Sequence, residues 1–173
     1  MCLIFRKISD FDRGILHQLL VDAYSFDSRW QKRFEPDWIE FDNFFFDNLE
    51  IADKSGFITT LNNEPIGHIS WDPRNRPEYV AIGHNCIASK YKGNGYGKIQ
   101  LQEAIHRILQ DDVKKVIVTT NSRLVPAEHM YESVGFKLHQ KRENKGDTAF
   151  SGEYIDMKLL YKNIKLDNFT LSI

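Results

Sequence analysis

The most informative segment of the chain is Tyr91-Lys92-Gly93-Asn94-Gly95-Tyr96-Gly97-Lys98, which follows an extended apolar run and precedes a helical pattern. Three glycines at alternate positions leave the backbone without side chains, so that its N–H groups can approach an anionic ligand. The helix that follows presents the positive end of its dipole to the same place. The segment therefore predicts a phosphate-binding loop between a strand and a helix.

Two familiar nucleotide-binding motifs do not fit this loop. A P-loop requires Ser or Thr directly after its Gly-Lys pair, whereas Lys98 is followed by Ile99. A dinucleotide-binding fingerprint would require glycine at position 98 and would follow the first strand of its domain, whereas at least three predicted strands come earlier here. A surface loop without a ligand is the remaining alternative. It is disfavoured by the charges of Lys92 and Lys98 and by the strand and helix on either side.

Length and composition indicate one globular domain. The chain has 173 residues, of which 42% are hydrophobic and 13% aromatic, and this is enough to enclose a single core. We expect a domain over residues 1–173, with its core at about 3–160 and a C-terminal tail at 161–173. With 23 basic and 24 acidic residues the formal net charge is −1, which disfavours nucleic acid as a partner.

Cysteine content and hydropathy indicate the setting of the protein. Only Cys2 and Cys86 are present, too few for a disulfide framework or a cysteine zinc site. The N-terminus lacks the apolar stretch of a signal peptide, and no apolar run reaches the length of a membrane span. We expect a cytoplasmic protein that has no membrane partner and holds no metal.

Hydrophobic periodicity predicts seven strands. They are expected at residues 3–8, 56–61, 64–71, 79–88, 115–120, 136–142 and 153–161. Asn62-Asn63 predicts the turn of a hairpin between the second and third strands. A polar loop at residues 143–152 joins the last two.

Helical patterns alternate with these strands. A first helix is predicted after an N-cap at Asp10, and residues 24–53 predict one or two short helices with a break at Pro36. A third pattern runs over residues 99–109. The last helix is expected to carry Pro126 in its first turn and to end at Gly135.

The glycine segment pairs with a second signature downstream. Lys92-Gly93-Asn94-Gly95-Tyr96-Gly97 follows the pattern Gln or Arg, two free positions, Gly, one free position, Gly or Ala, with Lys in the first place. Ala127, Met130-Tyr131 and Gly135-Phe136 follow the pattern Ala, then Leu-Tyr or similar, then Gly-Phe. In both signatures, and in the order of elements over residues 3–160, the chain resembles the GNAT superfamily of acyl-CoA-dependent N-acyltransferases. The resemblance implies an α/β (α+β) fold in which helices flank a mixed, mostly antiparallel sheet.

The resemblance also implies the donor substrate and the residues that bind it. Acetyl-CoA would be the acyl donor, with its pyrophosphate held by the glycine loop and its pantetheine arm along the preceding strand. A backbone N–H of that strand would also meet the oxyanion. The implied binding residues are Asn85, Cys86, Ile87, Lys92, Gly93, Asn94, Gly95, Tyr96, Gly97, Lys98, Asn121 and Tyr131. Asn121 is included because the family commonly has an Asn where this chain has Leu124.

The reaction that the resemblance implies is direct attack of a primary amine on the thioester in a ternary complex. Tyr131 is the candidate acid that protonates the leaving thiol, although a core tyrosine would occupy the same helical position. Cys86 could suggest a covalent acyl-enzyme. The sequence shows no His and acid residues spaced to activate a cysteine nucleophile around it, so we interpret Cys86 as inert.

The candidate general base is His84, because an unperturbed imidazole titrates near neutrality and this one lies in the strand before the loop. A packing role for His84 is the alternative interpretation. His68 in the neighbouring strand, Glu78 and a water molecule are competitors for the role of base.

The acceptor amine is expected to meet residues 24–49 and the polar loop at 143–152. Nine acidic and nine aromatic residues lie between positions 22 and 53, and they could form an electronegative, ring-lined mouth for a cationic amine. The simpler interpretation is an amphipathic helix pair with a solvated acidic face. The acceptor would be a small cationic amine or a protein or peptide amine, and a non-catalytic acyl-CoA-binding or sensing module is the alternative function. We expect a monomer or homodimer.

Overall fold

The computed structural model of the protein describes residues 2–145 and 152–160. Its strands are β1 (Leu3–Arg6), β2 (Gly56–Leu61), β3 (Glu64–Asp72), β4 (Val80–Ile87), β5 (Lys115–Asn121), β6 (Lys137–Glu143) and β7 (Glu153–Leu160). Its α-helices are α1 (Ile15–Ala23), α2 (Ser28–Asp47), α3 (Leu49–Lys54), α4 (Tyr96–Ile108) and α5 (Val125–Ser133). These elements confirm the expected fold of strands and helices.

The strands form one sheet in the order β1-β2-β3-β4-β5-β7-β6. Neighbours pair antiparallel in β1/β2, β2/β3, β5/β7 and β6/β7, and parallel in β4/β5. The register is given by Leu3 opposite Leu61, Thr59 opposite Gly67, Val80 opposite Val116, Thr119 opposite Asp156, and Lys137 opposite Lys158. The prediction of a mixed, mostly antiparallel sheet is therefore confirmed.

Two compact units are distinguished within the described chain, residues 2–71 with 84–100 and residues 72–83 with 101–160. The expectation of a single domain over residues 1–173 stays a prediction. In the first unit, Asn62 and Asn63 have φ values of 50° and 69°, as a two-residue hairpin turn of type I′ requires. This confirms the predicted hairpin between β2 and β3.

The start of α1 differs from the prediction of an N-cap at Asp10, which is wrong. Asp10 lies in a 3-10 turn, and its carboxylate accepts a hydrogen bond from Arg6 Nε at 3.2 Å. The helix begins after Gly14, whose φ is 100°. The buried carboxylate of Asp42 on α2 accepts from the backbone N–H groups of Gly14 (2.8 Å) and Leu16 (3.1 Å). A distant side chain therefore satisfies the first turn of α1.

The predicted helix break at Pro36 is also wrong, because α2 is one helix of 20 residues that contains Pro36 and ends at Asp47. A proline inside a helix removes one backbone hydrogen bond and costs about 3 kcal/mol. Trp30, Trp38 and Phe45 are buried on this helix, and each buried side chain of this kind contributes roughly 1.5–3 kcal/mol. Burial of the aromatic stripe outweighs the cost of the proline, and the break falls at Asn48 instead.

In the second unit, β5 lies between β4 and β7, as its apolar sequence predicts. Val116 and Val118 are buried there. The helix α5 has Pro126 in its first turn, and Gly135 follows its end with a φ of 103°, which confirms both predictions. The predictions for the tail at 161–173 and for residues 146–151 of the polar loop lie outside the described residues.

No helix in the described ranges is both long enough and apolar enough to cross a membrane.

Candidate functional site

The glycine loop connects β4 to α4 through a 3-10 turn at Ser89–Tyr91. Gly93 and Gly95 have φ values of 77° and 82°, a region that other residues adopt only with strain. An added Cβ at either position would meet nothing within 4 Å. Backbone geometry, rather than lack of space, therefore requires glycine here.

The loop presents backbone donors at the beginning of α4. The N–H groups of Lys98 and Ile99 bond to the carbonyl of Gly95 at 3.1 and 3.2 Å and so start the helix. The N–H groups of Gly93, Gly95 and Gly97 donate to no residue in the described part of the chain. Unused donors at the positive end of a 13-residue helix suit an anionic group such as a diphosphate.

Side chains brace the loop from both ends. Asn94 Nδ2 donates to the carbonyl oxygens of Tyr91 (3.2 Å) and Lys92 (3.0 Å). The hydroxyl of Tyr91 donates to Glu64 at the start of β3, at 2.5 Å. The loop is therefore held in shape by its own residues and by β3.

Lys92 is directed toward α1. Its amine donates to the carbonyl oxygen of Ala23, the last residue of α1, and lies 5.0 Å from the ring centroid of Phe26. Burial lowers the pKa of the Lys92 amine, while the nearby Cys86 and Asp22 raise it in part. Lys92 acts as a brace in this arrangement, and its contact with a pyrophosphate stays a prediction that requires the amine to leave Ala23.

The end of β4 carries the predicted Asn85, Cys86 and Ile87. Burial raises the pKa of the Cys86 thiol to about 12, so that it remains a thiol at neutral pH. This argues against a nucleophilic role and agrees with its interpretation as inert. In the described chain, β4 pairs with β5 only at Val80 and Ala81.

Gln100 is a residue of this region that the sequence analysis did not single out. Its carboxamide is fully buried and bonds to Asn85 Oδ1 at 2.8 Å and to the carbonyl oxygen of Cys86 at 3.2 Å. The helical period could have predicted its burial, because Gln100 lies four residues before the buried Ala104 and therefore on the apolar face of α4.

His84 and His68 lie against one ring of α2. The centroid of Phe41 is 4.5 Å from that of His84 and 5.7 Å from that of His68, and the two imidazoles are 6.4 Å apart. Burial lowers the pKa of His84 to about 4, against the opposing charge of Asp37. His84 is therefore neutral at pH 7 and can accept a proton.

The competitors for the role of base are less suitable. His68 is only 1% exposed, and burial followed by the proximity of His84 lowers its pKa to about 3, with a weak opposing effect from the Leu16 backbone. Neither ring nitrogen of His68 makes a hydrogen bond of ordinary geometry within the described residues. The carboxylate of Glu78 lies 2.5 Å from the amine of Lys114. His84 is partly exposed, and this favours it over His68.

In the second unit, Tyr131 lies on α5 and is buried, as its place on the apolar stripe predicts. Its ring contacts Phe136 edge to face, with centroids 5.5 Å apart. Asn121 ends β5, and its Oδ1 accepts from the backbone N–H of Arg123 at 2.9 Å. The roles of Tyr131 as acid and of Asn121 in donor binding stay predictions. In residues 2–145 and 152–160 no three His, Cys, Asp or Glu side chains are grouped to hold a metal ion.

A family model places the chain among known proteins. The model for the acetyltransferase (GNAT) family matches residues 15–136, which is more than half of the chain. The chain belongs to the GNAT family. As a GNAT protein it is an acyl-CoA-dependent N-acyltransferase, and the resemblance to this family is confirmed.

Solved structures show the same GNAT fold at low sequence identity. A chain of the NatC complex bound to Gag peptide and CoA is 18% identical, with a TM-score of 0.71 over 92% of this chain and 99% of that one. The ribosomal-protein-S18-alanine N-acetyltransferase from Escherichia coli is 17% identical, with a TM-score of 0.68 over 92% of each chain. A spermidine N-acetyltransferase chimera from Vibrio cholerae and hSSAT is also 17% identical, with a TM-score of 0.68 over 92% and 96%. A comparison with curated protein sequences gave no match.

Proposed function

We propose that the protein transfers an acetyl group from acetyl-CoA to a primary amine by direct attack in a ternary complex. The observation that carries this proposal is the set of unused N–H donors of Gly93, Gly95 and Gly97 at the N-terminus of α4. These donors fit the diphosphate of acetyl-CoA, because both glycine conformation and helix dipole favour an anion there. Residues 92–98 would hold this part of the donor substrate.

The pairing of β4 with β5 supports a binding position for the pantetheine arm of acetyl-CoA along β4. Within the described chain, β4 shares only the pairs at Val80 and Ala81 with β5. The main-chain groups of Asn85, Cys86 and Ile87 lie beyond these pairs and lead directly to the loop. We assign the groups of Asn85 and Ile87 to the amides of the pantetheine arm, and a backbone N–H among them to the oxyanion, because the Cys86 carbonyl already accepts from Gln100.

The proposed chemistry needs one proton acceptor and one proton donor. The amine nitrogen forms a bond to the thioester carbonyl carbon, the carbon–sulfur bond breaks, and the sulfur takes a proton. We assign that donated proton to the Tyr131 hydroxyl and the removal of the amine proton to His84. Support for His84 is that its imidazole is partly exposed and neutral at pH 7, although a pKa of about 4 makes it a weak base and water a competitor.

The acceptor is proposed to be a cationic amine, either a small molecule or the amino group of a protein or peptide. Two of the similar structures are named for acceptors of these two kinds, spermidine and a ribosomal protein alanine. The chain between positions 22 and 53 contains nine acidic and three basic residues, and such an excess attracts a protonated amine from solution.

Binding of acetyl-CoA is tested by calorimetry on Gly95→Val, with Gly14→Val as the matched control. Gly95 and Gly14 both have positive φ values (82° and 100°), and an added Cβ at either meets no close contact. We expect the dissociation constant to rise at least about tenfold, equivalent to about 1.4 kcal/mol, in Gly95→Val alone. Equal binding by the two variants would exclude the loop as the diphosphate site.

Turnover is tested by release of free thiol from acetyl-CoA in the presence of an amine panel. The panel includes spermidine and a peptide with an N-terminal alanine. Thiol release that depends on one amine class identifies the acceptor class. Tight binding of acetyl-CoA without release for any amine would instead favour the non-catalytic acyl-CoA-binding or sensing module.

A further inference from the structure

Gln100 on α4 has a buried carboxamide that connects three strands. Its exposed fraction is 0%, so each of its polar atoms needs a partner. Oε1 accepts from the hydroxyl of Thr59 on β2 at 2.6 Å. Nε2 donates to the carbonyl oxygen of His68 on β3 at 3.0 Å, and to Asn85 Oδ1 and the Cys86 carbonyl on β4 at 2.8 and 3.2 Å. The orientation of the amide is unambiguous because main-chain carbonyls only accept.

The strands meet Gln100 where the sheet is irregular. The register of β2 against β3 shifts between Thr59, opposite Gly67, and Thr60, opposite Pro65. Ile66 is therefore an extra residue, as in a β-bulge, and its carbonyl accepts from the N–H of Ala88 at 2.7 Å.

Glycine is needed at the bulge for steric reasons. A Cβ on Gly67 would lie 2.4 Å from the carbonyl oxygen of Cys86 and 3.0 Å from Gln100 Oε1. The backbones of β3 and β4 therefore approach closely at Gly67 and Cys86. The carboxamide of Gln100 bonds to both strands beside this approach.

This contact determines how β4 presents its backbone. In an extended strand, the N–H and C=O groups of successive residues point to opposite edges. Because the Cys86 carbonyl is bonded to Gln100 on the β3 side, the backbone groups of Asn85 and Ile87 point to the other edge. Those are the groups assigned above to the pantetheine arm and the oxyanion, next to the thioester of acetyl-CoA.

We propose that Gln100 is a positioning residue that aligns the end of β4 with the diphosphate loop, an inference that rests on the proposed function. Gln100 lies on the helix whose first turn follows Gly95, and it bonds to the strand that precedes the loop. One side chain thus sets the spacing between the donors for the diphosphate and the donors for the thioester. Misplacement of a reacting group by about 1 Å reduces turnover by as much as about 100-fold.

The test compares Gln100→Met with Thr59→Val. Gln100→Met keeps a side chain of similar length and removes all the hydrogen bonds to β3 and β4. Thr59→Val removes only the bond to Oε1 and leaves Nε2 on β4. Both variants are expected to lower the thermal unfolding midpoint, because each leaves buried polar atoms without partners.

Steady-state kinetics with acetyl-CoA and the accepted amine distinguish positioning from stability. We expect kcat to fall at least about tenfold in Gln100→Met and to stay within about twofold of wild type in Thr59→Val. Calorimetry is expected to give an affinity for free CoA within about threefold of wild type in both variants. Equal loss of kcat in the two variants, or full kcat in Gln100→Met, would overturn the proposal.

A second variant keeps the proposal testable if Gln100→Met does not fold. The double variant Gln100→Met with Thr59→Val lacks the amide donor to β4 and leaves no unpaired hydroxyl on β2, so the same loss of kcat with retained CoA binding is expected. Full kcat in the double variant would refute the positioning role. Failure of the proposed function itself is distinguishable, because the wild-type protein would then bind no acetyl-CoA or release no thiol.

Discussion

Acidification from pH 7 to pH 5 should destabilise this protein through His68 and His84. In the unfolded chain an imidazole titrates near 6.5, whereas burial lowers the folded pKa values to about 3 for His68 and about 4 for His84. Both pKa values are depressed on folding, so the unfolded state takes up protons first. The stabilisation is complete well above pH 6.5 and is lost as the pH falls from there toward the folded pKa values.

The magnitude follows from the protons taken up on unfolding. Near pH 5 both imidazoles are almost fully protonated in the unfolded chain and almost fully neutral in the folded one, a difference of nearly two protons. At about 1.36 kcal/mol per proton and pH unit, the free energy of unfolding falls by roughly 3–4 kcal/mol between pH 7 and pH 5. That is a large fraction of the roughly 5–15 kcal/mol by which folded domains are usually stable.

The assay is urea unfolding followed by tryptophan fluorescence at the two pH values. His68→Leu should reduce the loss to about 2 kcal/mol, because only His84 then contributes. At pH 7 this variant should be as stable as wild type or more so, since it removes ring nitrogens that lack hydrogen bonds in a buried site. The control is His106→Gln, which changes an exposed histidine on α4. The reasoning would be refuted by a His68→Leu variant that keeps the full pH-dependent loss.

Three further substitutions test other parts of the structure. Asp42→Ala should lower the free energy of unfolding, measured in urea titrations, by about 2–3 kcal/mol, because it leaves the first N–H groups of α1 without acceptors. Asp42→Asn keeps an acceptor oxygen, so an equal loss in Asp42→Asn and Asp42→Ala would contradict this reason. Tyr131→Phe should reduce kcat roughly 100-fold with unchanged acetyl-CoA affinity, and full turnover would remove Tyr131 from the mechanism. In wild type, kcat/KM should rise with pH through about 4 as His84 loses its proton, and an acidic limb that is unchanged in His84→Ala means another base acts.

Local backbone requirements were readable from the sequence. The pair Asn62-Asn63 turns a hairpin because both residues tolerate positive φ, and Gly135 follows α5 for the same reason. Gly93 and Gly95 also have positive φ, a conformation that glycine adopts without strain. Such features depend on residues within a few positions of one another, so the pattern alone predicts them.

Contacts between distant segments were not readable in this way. The N-cap at Asp10 and the break at Pro36 were both wrong, because Asp42 satisfies the start of α1 and the buried aromatic residues of α2 carry the helix through its proline. Local propensity amounts to roughly 1–3 kcal/mol at such positions, and burial or a buried hydrogen bond can exceed it.

The sequence by itself determined the glycine loop and the family signatures, because a glycine-rich turn into a helix is specified by neighbouring residues. Only the tertiary structure decided that Lys92 is directed to Ala23, that His84 lies neutral beside Phe41, and that Gln100 ties β4 to β3. The physical reason is that pKa values and buried hydrogen bonds depend on partners that lie 14 to 69 residues away along the chain. A side chain's environment is set by what packs against it, and that is decided only when the strands and helices have assembled.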